Sequence, residues 1–189
     1  DVITRQTDDI RRIVDEFSKF ARMPELRRKN EDLSALVESA VSLQQVGQPN
    51  VSINLSQPKL PIVTSIDATL INQALTNILK NAGESIETRM QDPSASKQDG
   101  VIEVLLKNEP DIVVLNIADN GVGLPQDRSR LFEPYVTTRD KGTGLGLAIV
   151  KKIIEEHGGV LKLEDSAPFE NTGIIGALIS IELPKSKSL

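Results

Sequence analysis

The chain has no cysteine and no tryptophan, and holds one histidine and one tyrosine in 189 residues. Missing thiols exclude a disulfide framework, a thiolate metal site and a cysteine nucleophile. Aromatic residues make up 3% of the sequence, so the core must be built from aliphatic side chains. Excess positive charge is missing too. Twenty-two Lys and Arg stand against 27 Asp and Glu, a net charge of −5. That balance lacks the electrostatic footprint of a nucleic-acid binder. No apolar run is long enough to span a bilayer, and no signal-peptide pattern is visible. The stretch reads as soluble and intracellular. Because it opens directly on a helical pattern, it is expected to be part of a longer protein.

What is present suits one domain with a small appendage. Ile3, Ile10, Ile13, Phe17 and Phe20 follow steps of seven, three, four and three, a heptad seam with charges on the other faces. It fits either one strand of a helical bundle or an ordinary amphipathic helix packed on its own domain. Pro24 should stop this helix near Arg22, and "PELRRKNED" reads as a polar linker. Asp32 is placed to cap a helix from Leu33 to about Gln45, and Asp67 a long one ending near Met90. "VSINLS", "LPIVTSI", "VIEVLLKN", "IVVLNIAD", "VLKLED" and "IIGALISIELP" read as strands. A last helix runs from about Leu145 to His157, closed by Gly158 and Gly159. Five or six strands and three helices predict an α/β sandwich, helices on one face and solvent on the other.

Three segments carry chemistry. On the long helix, Gln73, Asn77 and Asn81 stand four residues apart, a polar stripe beside an apolar face. By itself an amide pair is most often helix surface or a satisfied core amide. "DNGVGLP" (Asp119 to Pro125) follows a strand directly, and "KGTGLGL" (Lys141 to Leu147) precedes a helix. Gly142, Gly144 and Gly146 lie where free backbone N–H groups and the helix dipole favour an anion, phosphate above all. Asp119 can accept from the exocyclic amine of a base. Asn81 offers a neutral oxygen suited to a hard divalent cation that also holds phosphate. Together these describe a nucleotide–Mg²⁺ site. Neither the dinucleotide fingerprint nor a P-loop is present.

The order of these segments resembles the ATP-binding catalytic domain of bacterial sensor histidine kinases, in the superfamily shared with gyrase B, Hsp90 and MutL. "NILKNAGESI" is similar to the N box, "DNGVGLP" to the first glycine box, "LFEPYVTT" to the F box and "GTGLGLAIVKKIIEEHGG" to the second glycine box with its helix. The resemblance implies the two-layer α/β sandwich of the GHKL, or Bergerat, fold behind a coiled-coil-type N-terminal helix. It implies ATP and Mg²⁺ as cofactors and histidine phosphotransfer as the activity. Asn81 would hold Mg²⁺, and Asn77 would support phosphate or metal, the two being the catalytic pair. Asp119 would bind the adenine amino group, with Gly121 and Gly123 letting backbone approach the base. Lys141, Gly142, Thr143, Gly144, Leu145 and Gly146 would line the phosphates. Leu124 to Thr143 would form the ATP lid, with Phe132 and Tyr135 packing it against the core or the helical bundle. Arg128, Arg130, Arg139 and Lys141 are the cations in or beside it. At Asn77, ATPases of the superfamily carry a glutamate that resembles a general base. An amide takes no proton from water at neutral pH, so Asn77 should leave the γ-phosphoryl for another acceptor.

Within these kinases "IVDEFSKFARMP" resembles the nitrogen-regulation branch, NtrB and NtrY, with NtrY the closer. "NAGESI" suits that branch, where many other sensor kinases have a Lys-Tyr pair in place of Glu84 and Ser85. The implied division is the second helix of the dimerisation and phosphoacceptor hairpin over 1–23, a linker over 24–32, the catalytic domain over 33–184 and a tail over 185–189. Implied partners are the acceptor helix of the same kinase, a second copy in the parent protein and a response regulator, with no nucleic acid. Membrane attachment would come only through other segments of the parent, an inner-membrane sensor of a bacterium. The single histidine, His157, sits at a helix end in "EEHGG", which predicts a helix cap rather than a phosphoacceptor.

Overall fold

The structure is a computed structural model, which describes Thr7, Arg11 and residues 25–93, 98–128, 130–136, 143–170 and 173–185. The heptad seam, Arg139, Lys141, Gly142 and most of the tail therefore lie outside the described residues.

Helix α1 (Leu33–Gly47) starts where expected. The Asp32 carboxylate accepts from the N–H of Ser34 at 2.9 Å and of Ala35 at 3.4 Å. Helix α2 (Ala68–Gln91) begins in the same way, Asp67 accepting from Thr69 and Leu70. Each cap satisfies amides that the first helical turn leaves without partners. Along α2, Leu70, Ile71, Ala74, Leu75, Ile78, Leu79, Ala82 and Ile86 are buried. That spacing is one face of a 3.6-residue helix. Helix α3 (Gly146–Glu156) packs beside α2, burying Ala148, Ile149, Val150, Ile153 and Ile154.

Beneath the helices lies a five-stranded sheet in the order β2-β4-β5-β7-β6. It comprises β2 (Val51–Ser56), β4 (Gly100–Asn108), β5 (Ile112–Asp119), β6 (Val160–Asp165) and β7 (Ala177–Pro184). Strand β2 runs parallel to β4, and the other pairings are antiparallel. The inward rows are apolar: Ile102, Val104 and Leu106 face Asp119, Ile117 and Leu115, which in turn neighbour Ile179 and Ile181. The outward rows alternate with them, as a sheet covered on one face requires. The mixed α/β architecture matches the expected two-layer sandwich.

One expectation changes. Lys29–Asp32, the end of the stretch read as a polar linker, forms strand β1 and pairs antiparallel with β3 (Val63–Ile66). "KNED" carries no apolar alternation, so nothing local announces a strand. The partner strand supplies the order. The described residues thus hold seven strands in two sheets.

Candidate functional site

Helix α2 sets one wall of the site. Gln73, Asn77 and Asn81 are all half-buried on it, next to the fully covered Ile78 and Leu79. Asn81, from this stripe, meets the first turn of α3. A Cβ placed on Gly146 would stand 3.6 Å from Asn81 Nδ2 and 4.0 Å from its Oδ1. The amide therefore lies against a helix N-terminus whose cap, Leu145, makes no side-chain cap bond. Free N–H groups and the helix dipole make that position favourable to an anion.

Strand β5 delivers Asp119 at its end, 5% exposed. Its Oδ1 accepts from the Gly121 N–H at 2.8 Å. The next residue, Asn120, is fully buried and grips the start of β4. It accepts from Val101 N–H at 2.9 Å and donates to Asp99 O at 2.9 Å, while its own N–H bonds Val101 O. Arg89, also buried, donates to Gln98 O at 3.0 Å and to Asp99 O. From the far side the β6–β7 connection closes in. A Cβ on Gly176 would fall 1.9 Å from Asp119 O, and Gly176 N–H bonds the Ser166 hydroxyl at 2.8 Å. Sequence reasoning assigned no role to Asn120, Arg89 or Ser166. For Asn120 the one available signal was a buried-strand pattern ending in two polar residues.

The second glycine segment meets the F-box segment. Gly144 has φ +68°, and a Cβ there would be 2.6 Å from the backbone carbon of Tyr135. Only glycine combines that conformation with that approach. Tyr135 N–H donates to Gly144 O at 3.1 Å, and Tyr135 itself has φ 68°. Its ring is exposed, so it is the backbone of Tyr135 that meets the cradle, whereas Phe132 is half-buried with the Lys151 ammonium 5.0 Å from its ring centroid. Two lid cations are engaged by carboxylates. Arg128 pairs with Asp165 at 2.5 Å, and Arg130 with Glu133 at 3.0 Å.

His157 stands at the other end of α3, 2% exposed. Its Nδ1–H donates to Ile153 O at 2.7 Å, leaving Nε2 to accept from the Asp67 N–H at 3.0 Å. Both nitrogens are used by the neutral ring. Burial holds its pKa below the ordinary value, against the backbone bond to Ile153. This is the structural role its helix-end position predicts.

Residues 66–187 match the family described as the histidine kinase-, DNA gyrase B-, and HSP90-like ATPases. The chain belongs to that family. It is 47% identical to the nitrogen regulation protein NtrY of Azorhizobium caulinodans over 99% of its own length and 24% of the relative's. It is 39% identical to a putative NtrY-like sensor histidine kinase of Rickettsia prowazekii, over 92% of this chain and 27% of that one. The chain thus spans about a quarter of the length of these relatives. Among solved structures, a mycobacterial sensor histidine kinase, MprB, superimposes with a TM-score of 0.68 at 26% identity, covering 84% of this chain and 98% of that one. The catalytic domain of histidine kinase ThkA gives 0.67 at 26% identity, covering 84% and 96%.

For a member of this ATPase family the donor set fits the expected ligand. A buried carboxylate lies at a strand end, an amide lies against Gly146, and a helix opens on glycine. No cluster of three or more His, Cys, Asp or Glu exists among the described residues.

Proposed function

We propose that this chain is the ATP-binding catalytic domain of a two-component sensor histidine kinase of the nitrogen-regulation branch. It transfers the γ-phosphoryl of ATP to a histidine on the dimerisation hairpin, for later relay to an aspartate of a response regulator. The observation that carries the reading is Asn81 set against the first turn of α3, with Asp119 buried beside Gly121, which packs on Ser85 of α2. In this reading Asp119 takes the adenine amine and Asn81 the Mg²⁺ ion, which would neutralise charge on the phosphates when bound. Asn77 supports the phosphates or metal but removes no proton from water. Gly121 and Gly123 admit the base, and Lys141, Gly142, Thr143, Gly144, Leu145 and Gly146 line the phosphates.

Phosphoryl transfer needs positioning and charge neutralisation more than covalent chemistry from the protein. An amide at position 77 therefore suits a kinase, whose acceptor is an imidazole, better than an ATPase, whose acceptor is water. The acceptor belongs to another helix, since His157 is buried with both ring nitrogens bonded. Residues 1–23 would be the second hairpin helix, the parent a homodimer, and its membrane attachment a matter for its other segments. No helix among the described residues is long and apolar enough to cross a membrane.

Calorimetric titration with ATP, with and without Mg²⁺, tests the reading. Binding is expected to strengthen with Mg²⁺, and Asp119→Asn to weaken it by about 2–3 kcal/mol, the value of a charge-assisted hydrogen bond. Radiolabelled ATP with a supplied hairpin that carries the acceptor histidine should then label the hairpin. Intact binding with no label on the hairpin, and steady release of inorganic phosphate, would replace the kinase reading with an ATPase.

A further inference from the structure

Beyond the two asparagines, the stripe on α2 continues. Gln73, Asn77, Asn81 and Ser85 stand at successive steps of four. Four residues overshoot a helical turn by about 40°, so the row winds slowly round the helix. Gln73, Asn77 and Asn81 are half-buried, and by Ser85 the row has turned into the protein, where Ser85 is 7% exposed. There its Oγ accepts from the Val122 N–H at 3.1 Å, across 37 residues of sequence. The contact lies in the middle of the "DNGVG" loop.

Two bonds therefore hold the consecutive peptides on either side of Gly121. The Gly121 N–H is given to Asp119 Oδ1 at 2.8 Å, and the Val122 N–H to Ser85. The packing is close. A Cβ on Gly121 would fall 2.2 Å from Ser85 Oγ, 2.7 Å from Asp119 Oδ1 and 2.7 Å from the Ser85 backbone carbonyl carbon. The loop thus rests directly on the helix, and only a residue without a side chain fits between serine and aspartate.

We infer that Ser85 is a positioning residue for base recognition, acting on Asp119 through the two peptides that flank Gly121. The inference rests on the nucleotide reading above. Helix α2 then works as a ruler. Asn81 and Ser85 are about 6 Å apart along the axis, and Asn77 and Ser85 about 12 Å. One rigid element sets the distance between the metal and phosphate end of the site and the end that reads the base. What this register supplies is a hydroxyl that accepts from the Val122 N–H.

The test is base discrimination, which a merely structural serine would not move. ATP and inosine triphosphate share the phosphates and differ by the amino group that Asp119 would read. Both are titrated calorimetrically with Mg²⁺ into the wild-type chain, Ser85→Ala, Ser85→Thr and Asp119→Asn. The wild type should prefer ATP by about tenfold or more, as one charge-assisted hydrogen bond allows. Ser85→Ala should lose most of that preference while its inosine triphosphate affinity stays within about twofold, as in Asp119→Asn. Ser85→Thr, which keeps the hydroxyl, should restore it. Should Ser85→Ala fail to fold, Ser85→Cys against Ser85→Thr reads the same difference between a weak acceptor and a strong one. An unchanged preference in Ser85→Ala, or an equal loss for both nucleotides, would overturn the inference. A wild type that binds both equally would overturn base reading by Asp119 and this inference with it. A wild type that binds neither would overturn the nucleotide site itself.

Discussion

At one end of the site Asp119 and Asn120 are buried, 5% and 0% exposed; Asn120 bonds Val101 and Asp99, Asp119 bonds Gly121, Val122 beyond them bonds Ser85 of α2, and Gly176 packs on Asp119 O. At the other end Asn77, Asn81, Thr143 and Gly144 are half-exposed, and Arg128 and Arg130 pair with exposed carboxylates. The difference is one of what is finished before ligand arrives. A buried polar group must find its partners within the fold, because leaving one unpaired costs about 1–3 kcal/mol. The base end meets that demand with protein groups alone. Exposed ion pairs contribute little and exchange readily with water or phosphate. In the proposed reading ATP and its cation complete the phosphate end, and the base end is a template.

Asn120→Ala should break the template with the largest loss of stability. It removes two buried side-chain bonds and leaves the Val101 N–H without its acceptor, whereas Asp99 O keeps a bond from Arg89. The expected cost is about 2–3 kcal/mol, read as a lower denaturation midpoint in urea at unchanged slope. A loss below about 0.5 kcal/mol would mean that the base end is no more rigid than the lid, and the contrast would fail.

His157 extends the comparison along α3. The N-terminus of that helix is open at Gly146, and its C-terminus is sealed. His157 bonds Ile153 O and the Asp67 N–H, Arg28 donates to Glu156 O at 2.5 Å, and Arg27 N–H bonds Asp67 Oδ2 at 3.0 Å. The charged groups facing the ring are Arg28, Asp67 and Glu156. Its pKa is lowered from 6.5 by burial, so the unfolded chain binds the proton more readily than the folded one. The stability it contributes is complete above pH 6.5 and is lost as pH falls from there toward the folded value. Protonation would also cancel the acceptor that Asp67 N–H needs. Asp67 acts in a lower window. Burial raises its pKa, but bonds from Arg27, Leu70 and Thr69 outweigh that, so its contribution holds above 3.8 and fails below. Melting temperatures measured from pH 8 to pH 5 should fall for the wild type and fall less for His157→Gln. Equal slopes for the two would remove His157 from the account.

Much of this was legible locally. Asp32 and Asp67 announce their helices because a cap bonds amides two and three residues ahead. The α2 face repeats at helical spacing, and glycines sit where strand turns to loop and loop to helix. What escaped depends on distant partners. The role of Ser85 lies 37 residues away in Val122, and the acceptor bond of His157 spans 90 residues. Strand β1 exists because β3 offers it a ladder, and "KNED" has no pattern of its own. The exposure of the Tyr135 ring was equally hidden, since in sequence an aromatic in a lid reads as an anchor.

The smallest expected effect belongs to the lid. Lys151 on α3 places its ammonium 5.0 Å from the Phe132 ring centroid and also lies 3.8 Å from Glu155. At an exposed site a cation–π contact contributes about 0.5–1 kcal/mol, and an i,i+4 ion pair about 0.3–0.5 kcal/mol. Lys151→Met keeps the apolar stem and removes the charge, so global stability should change by less than about 1 kcal/mol. Local opening is a separate quantity from global unfolding, and a segment held by few contacts opens first. Tryptic cleavage after Arg130, which is 63% exposed on its side chain, should therefore speed up several-fold in the variant, on the order of what 0.5–1 kcal/mol allows. If cleavage is unchanged, the tie between Tyr135 N–H and Gly144 O, rather than the Lys151–Phe132 contact, governs where the lid rests.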